Sequence, residues 1–184
     1  MTPVQSHRTN LTQIPIGDGA PFQVNAVIEI SQGSSNKIEY REDWGAFVLD
    51  RTLYSPLYYP CNYGFIPSTL FEDGDPLDVL AFSSQPIPTA TVLTVRPVGV
   101  LKMRDDKGQD DKIVAVFSHD PRFEQVRKLS DLSEHRRREI THFFQIYKDL
   151  EDKAVEVEGW ESAEVAHDLI TRYALNPAGQ HGVD

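Results

Sequence analysis

Residues 91–117 read TVLTVRPVGVLKMRDDKGQDDKIVAVF, and this stretch decides the fold. Its outer parts, 91–103 and 112–117, are apolar and rich in β-branched residues, which predicts two strands. The part between them, RDDKGQDD (104–111), has loop chemistry. Toward the N-terminus, LDVLAF (77–82) predicts another strand, and GAFVLDR (45–51) a short one after the REDW turn. KIEY (37–40) alternates, with Lys37 and Glu39 on one face and Ile38 and Tyr40 on the other. FQVNAVIEI (22–30) alternates too, placing Phe22, Val24, Ala26, Ile28 and Ile30 on a buried face and Glu29 on the opposite one. Residues 52–71 hold four tyrosines and three prolines, an irregular aromatic stretch too rich in proline for a central strand. Residues 1–20, with Pro3, Pro15, Gly17 and Gly19, read as a polar arm.

Beyond residue 131 the period changes. SEHRRREITHFFQIYKDLE (133–151) sets Ile140, Phe143, Phe144, Tyr147 and Leu150 at helical spacing behind a Ser133 N-cap. SAEVAHDLITRYAL (162–175) does the same with Val165, Ala166, Leu169, Ile170 and Tyr173 behind Ser162, and Asn176-Pro177 ends it. Strands precede helices, which argues the α+β class: a small β-barrel with helices packed outside it. A length of 184 residues suits a single domain over 1–184, with 1–20 as its N-terminal arm.

The chain carries 28 acidic against 18 basic residues, a formal net charge of -10. Nucleic acid and anionic membrane surfaces call for the opposite balance, so neither is an expected partner. HRRRE (135–139) is a basic cluster that reads as the solvated face of a helix. No run is long and apolar enough to span a bilayer, and MTPVQSHRTN lacks the apolar region of a secretory signal, so the expected location is the cytoplasm. The single cysteine, Cys61, excludes an internal disulfide and reads as buried packing within YYPCNYGF.

Two acidic groups stand out. In DGDPLD (73–78), Gly74 and Pro76 force a stiff turn that holds Asp73, Asp75 and Asp78 together at the entrance of a buried strand. Asp105, Asp106, Asp110 and Asp111 share the loop between the two strands of the opening stretch. Carboxylates this crowded stay ionised near neutral pH only with positive charge among them, and hard oxygens suit Mg²⁺ or Mn²⁺. An EF-hand fails on spacing, because counting from Asp73 the sixth position is Asp78 instead of Gly and the twelfth is Ser84 instead of Glu. The six histidines form no HExxH and there is no second cysteine, which argues against a zinc site of the usual His/Cys kind. Lys37, Arg51, Lys112, Tyr147 and Lys148 lie at element ends near carboxylates in the sequence. Acids holding divalent metal among such residues make a site for a compact polyanion such as a phosphate.

DGDPLDVL (73–80) resembles the signature of the soluble family I inorganic pyrophosphatases. VIEI (27–30), KIEY (37–40), YPCNYGFI (59–66), RPVGVLKM (96–103), HFF (142–144) with YKDLE (147–151), and VEGW (157–160) resemble that family in the same order. The resemblance runs from about Asn25 to Trp160; the arm before Phe22 and the tail after Trp160 match nothing in it.

The resemblance implies a closed five-stranded, OB-like barrel with flanking strands and two main helices packed outside. It implies hydrolysis of pyrophosphate to two orthophosphates by direct attack of a metal-activated water, with Asp75 as general base. Asp73, Asp78, Asp105, Asp110 and Glu29 would bind metal, several Mg²⁺ per site, with Mn²⁺ or Zn²⁺ as substitutes. Lys37, Arg51, Tyr63, Lys112, Tyr147 and Lys148 would contact phosphate, with Glu39 and Tyr59 in support. The length resembles the compact prokaryotic type, which implies a homo-hexamer. The alternative is a non-catalytic divalent-metal or OB-like binding module.

Overall fold

The computed structural model describes residues 10–175, and the apolar run that decides the fold forms one 14-residue strand, Val92–Asp105. In chain order the strands and helices are β1 (Val24–Ile30), β2 (Asn36–Arg41), β3 (Ala46–Thr52), β4 (Asn62–Phe65), β5 (Asp78–Phe82), β6 (Val92–Asp105), β7 (Gly108–Gln109), β8 (Lys112–Phe117), α1 (Glu134–Ile146), β9 (Glu156–Glu161) and α2 (Ala163–Tyr173). Strand β6 is long enough to serve several neighbours. Its first half pairs with β1, its middle with β8, and its second half with β9. The register shifts between Pro97 and Gly99 opposite β8, and such an irregularity accommodates a proline inside a paired strand.

The pairings close a ring. β1 joins β4, β4 joins β5, β5 joins β8 in parallel, β8 joins β6, and β6 returns to β1. This is the expected five-stranded closed barrel, with β7 and β9 as flanking strands on β6 and the β2–β3 hairpin as a separate two-stranded sheet. Both faces of the wall are buried. Val79, Ala81, Ile113 and Ala115 pack in one apolar cluster with Ala166, Leu169 and Ile170 of α2. Their alternating neighbours Leu80, Phe82, Val114 and Val116 pack in a second with Ile140, Phe143 and Phe144 of α1. Each such fully buried large side chain contributes roughly 1.5–3 kcal/mol. Ser133 caps α1 as expected, its hydroxyl accepting from the Arg136 N–H.

Four expectations are corrected. Phe22 stands outside β1, 64% exposed, with its ring edge-on to His167 at 4.7 Å, while Val27 and Glu29 on the opposite face are buried. Residues 62–65 form a strand in the ring despite the neighbouring prolines, because Pro60 and Pro67 flank the strand and do not interrupt it. Gly64 is required there: a Cβ would lie 1.9 Å from the Val27 carbonyl oxygen across the β1–β4 pairing. Helix α1 ends at Ile146 and a 3-10 turn follows at Asp149–Glu151, which leaves Leu150 62% exposed. Residues 156–161 form β9, an edge strand that the sequence reading did not identify.

Candidate active site

The acidic turn takes its shape from its own backbone. Phe71 N–H donates to the Asp75 carbonyl at 2.7 Å, Gly74 N–H to the Phe71 carbonyl at 3.1 Å, and Asp75 N–H to Asp73 Oδ1 at 3.1 Å. Gly74 sits at φ 91°, a conformation that side-chain-bearing residues avoid. Asp78 then opens β5 and lies in register with Phe65 of β4 and Lys112 of β8. The second acidic loop comes off the end of β6, so barrel closure brings both acidic groups to one cleft.

That cleft, about 350 Å³, is lined by Glu29, Lys37, Glu39, Arg51, Tyr63, Asp73, Asp75, Asp78, Asp105, Asp110, Lys112, Tyr147 and Lys148. Tyr59 does not line it. It is buried, its ring edge-on to Tyr63 at 5.7 Å and against Phe143 at 4.9 Å, so it braces the wall from outside the cleft. Asp111 points elsewhere: its Oδ2 accepts from Lys102 Nζ at 2.7 Å and its Oδ1 from Gln109 Nε2 at 2.7 Å.

The cations are tied to the acids. Lys112, its side chain 3% exposed, donates to Asp78 Oδ2 at 2.6 Å and Asp110 Oδ1 at 2.5 Å, and its ammonium lies 5.5 Å from the Tyr63 ring centre. Tyr63 OH donates to the same Asp78 oxygen at 2.6 Å. Lys148 donates to Asp105 Oδ2 at 2.9 Å. On the hairpin, Lys37 pairs with Glu39 and approaches Asp50 at 3.6 Å. Arg51 donates through Nε to Glu151 Oε1 at 2.9 Å and through a terminal nitrogen to Asp50 Oδ2 at 2.5 Å. Buried Glu29 accepts from the Tyr40 N–H at 2.7 Å.

Acidities follow from this packing. Burial pushes Glu29 up to about 8, against the opposing pull of the Tyr40 hydrogen bond. Partial desolvation, then Asp73 and Asp78, raise Asp75, with Lys107 opposing. Asp110 is also raised, by burial first; the attraction of Lys112 does not overcome it. Asp105 is lowered: burial pulls upward, but the bonds from Lys148 and the Lys107 N–H outweigh it. Lys112 is raised although burial opposes its charge, because Asp78 and Asp110 hold the proton. The Tyr63 and Tyr147 hydroxyls are raised by burial and stay neutral donors.

The donor set is one a hard divalent cation takes, made of carboxylate oxygens at the mouth of a rigid barrel. Among the described residues no three acids, histidines or cysteines converge as a finished metal site, since Asp78 and Asp110 turn to Lys112 and Asp105 turns to Lys148. Burial and neighbouring carboxylates raise the pKa of Asp75 and of Asp110, so added positive charge would favour their ionised forms, and the residues present fit a divalent ion.

Sequence reasoning missed several residues of the cleft. Thr12, Tyr40, Arg41, Lys107 and Lys153 also line it, and Glu151 holds Arg51 from behind. Glu151 and Tyr40 had a usable signal in their places in YKDLE and KIEY.

Three comparisons bear on this site. A family model described as inorganic pyrophosphatase matches residues 26–176, which carries the likeness past Trp160 into the tail and corrects the expectation that the tail matches nothing. The chain is 48% identical to the inorganic pyrophosphatase of Thermus thermophilus over 160 residues, 85% of this chain and 91% of that one. It is 43% identical over 167 residues to that of Synechocystis, covering 91% and 98%. The crystal structure of inorganic pyrophosphatase from Thermus thermophilus superposes with a TM-score of 0.88 at 45% identity, covering 91% of this chain and 97% of that chain.

Proposed function

The chain belongs to the inorganic pyrophosphatase family, and on that premise we propose that its cleft hydrolyses inorganic pyrophosphate to two orthophosphates. The observation that carries the reading is the convergence of two acidic groups, from the 73–78 turn and the β6–β7 hairpin end at 105–110, with Lys37, Arg51, Lys112 and Lys148 in one cleft.

In this reading Asp73, Asp78, Asp105, Asp110 and Glu29 hold several Mg²⁺ ions, for which Mn²⁺ or Zn²⁺ can substitute. Bound there, the metal supplies charge neutralisation for the phosphoryl oxygens and acidity for the attacking water. Asp75 is the general base. Its raised pKa moves it toward the working pH, where a base is most effective. Lys37, Arg51, Lys112 and Lys148 take the phosphoryl oxygens, and the neutral Tyr63 and Tyr147 hydroxyls donate to them. Glu39 positions Lys37, and Tyr59 backs Tyr63. No side chain needs to carry a phosphoryl group, so water attacks directly.

Phosphate release from pyrophosphate tests the proposal, run with Mg²⁺, with excess EDTA, and with ATP and a phosphomonoester as controls. Mg²⁺-dependent release from pyrophosphate, far above the controls, is the expected result. No release from a folded, Mg²⁺-supplied sample returns the cleft to a non-catalytic metal module. We further propose one domain over 1–184 with 1–20 as its arm, a homo-hexamer on the resemblance to the compact prokaryotic type, and a cytoplasmic location. Light scattering tests the assembly. Among the described residues no helix is long and apolar enough to cross a membrane.

A further inference from the structure

The β2–β3 hairpin carries Lys37 and Arg51 but is not hydrogen-bonded into the barrel sheet. Its base is secured. Leu53 N–H donates to the Ser35 carbonyl at 2.8 Å, Tyr59 N–H to the Ser34 carbonyl at 2.9 Å, and Arg51 is held by Glu151. Its far end, Tyr40 to Ala46, has a different anchor. Besides the Glu29 bond to Tyr40 N–H and the stacking of the Tyr40 ring on Phe65 of β4 at 6.1 Å, that end is held by chain from far upstream: Leu11 N–H donates to the Tyr40 hydroxyl at 3.2 Å, and Asn10 Nδ2 donates to Glu42 Oε1 at 2.5 Å.

The same segment grips the acidic side of the cleft. Ser68 N–H donates to the Thr12 carbonyl at 2.7 Å and Ser68 Oγ to the Ile14 carbonyl at 2.8 Å, on the loop that leads into the 73–78 turn. The segment is braced internally: Asn10 Oδ1 accepts from Thr12 N–H at 3.0 Å and Thr12 Oγ1 at 2.9 Å, capping a 3-10 turn at Leu11–Gln13. Buried Ile16 then fixes the trailing end, its carbonyl accepting from Asn25 N–H at 2.7 Å on β1.

We propose that Asn10–Ile14 is a positioning strap: Asn10 and Leu11 hold the phosphate-binding hairpin at a set distance from the carboxylate turn, which Ser68 ties to the other end of the strap. The inference rests on the reading of the cleft as the pyrophosphate site. The strap contributes no reacting group. It lowers the disorder of a hairpin whose cations must meet substrate held by acids on a separate element, so its loss shows in substrate binding.

The test exchanges the donor and acceptor of the Asn10–Glu42 bond in the full-length chain. Asn10→Asp keeps the cap on Thr12 but removes the donor and sets two carboxylates against each other. KM for Mg²⁺-pyrophosphate is expected to rise about threefold to fivefold, since this hydrogen bond to a charged group lies exposed to solvent, with kcat within about twofold. Amide hydrogen exchange over residues 38–47, measured without metal or substrate, is expected to quicken by a similar factor. Adding Glu42→Gln swaps the polarity of the pair and restores both. Unchanged hairpin exchange in Asn10→Asp overturns the strap, as does quickened exchange with unchanged KM, or a defect that the double substitution does not restore. The exchange measurement needs no turnover. Failure of the pyrophosphatase reading therefore shows as absent hydrolysis in the unaltered protein, and failure of the strap as unaltered exchange.

Discussion

Lys112 is the residue whose loss the structure prices most clearly. Its side chain is 3% exposed, and it shares its proton-rich head between Asp78 at 2.6 Å and Asp110 at 2.5 Å. Lys112→Met keeps the aliphatic stem packed but leaves two carboxylates facing each other without a counter-charge. Breaking a buried pair in this way costs about 3–5 kcal/mol. At about 2–4 °C per kcal/mol for a chain of this size, the metal-free variant should melt about 6–20 °C below the unaltered protein. The assay is thermal unfolding in EDTA, followed by circular dichroism or calorimetry. Two further outcomes come from the same reasoning. A divalent ion supplies the charge that the lysine no longer does, so Mg²⁺ should raise the melting point more in the variant. The deficit should also narrow as pH falls. The folded-state pKa of Asp110 is already above its unfolded value, and losing Lys112 lifts it further. The folded state then binds the proton better than the unfolded chain, so acidification favours folding. A variant that melts within about 2 °C of the unaltered protein in EDTA would refute the argument.

Asp75→Asn preserves shape and should cut kcat by about 10²–10⁴-fold while isothermal titration shows near-normal Mg²⁺ binding; ordinary turnover removes Asp75 as the base. Glu151→Gln loosens the Arg51 guanidinium and should raise KM about tenfold, whereas an unchanged KM means that Asp50 alone orients Arg51. Gly64→Ala drives a Cβ to 1.9 Å from the Val27 carbonyl and must part β1 from β4, lowering the unfolding free energy read from urea denaturation by about 1–3 kcal/mol. The Cys61 thiol, pushed up to about 12 by burial, should resist disulfide reagents at neutral pH until the protein unfolds. Stability should also fall as pH climbs from about 9 toward 12, because the unfolded thiol ionises first; rapid labelling of folded protein counts against the buried placement.

The stretches that were legible are those where burial leaves little choice. Strands β5 and β8, and β6 over residues 97–101, are covered on both faces, so their sequences are nearly continuous apolar runs bounded by charge. β4 escaped because its four residues are hemmed by Pro60 and Pro67, and local proline content says nothing about which residues the ring needs. β9 escaped because EVEGWE is an acidic edge strand whose only warrant is the β6 edge it completes. Leu150 looked helical because its spacing continues the α1 stripe, yet the chain leaves the helix after Ile146 to bring Lys148 to Asp105 and Glu151 to Arg51. There the needs of the cleft outweigh the periodicity.

The same division runs through the site. An acid directly before an apolar strand is readable, and so is a lysine in that position: Asp78 opens β5 and Lys112 opens β8. That the two are partners is not readable, because β5 and β8 pair in parallel and a parallel pair is joined only through a crossover, here β6 and β7. Their adjacency is a property of ring closure, which fixes the register of Asp78 with Lys112 after every strand between them is placed. Arg51 with Glu151 and Asn10 with Glu42 likewise join segments far apart in the sequence, here outside the ring. Sequence patterns therefore name the charged groups of this cleft one element at a time, while their pairing, which sets acidity, orientation and stability, is a consequence of topology.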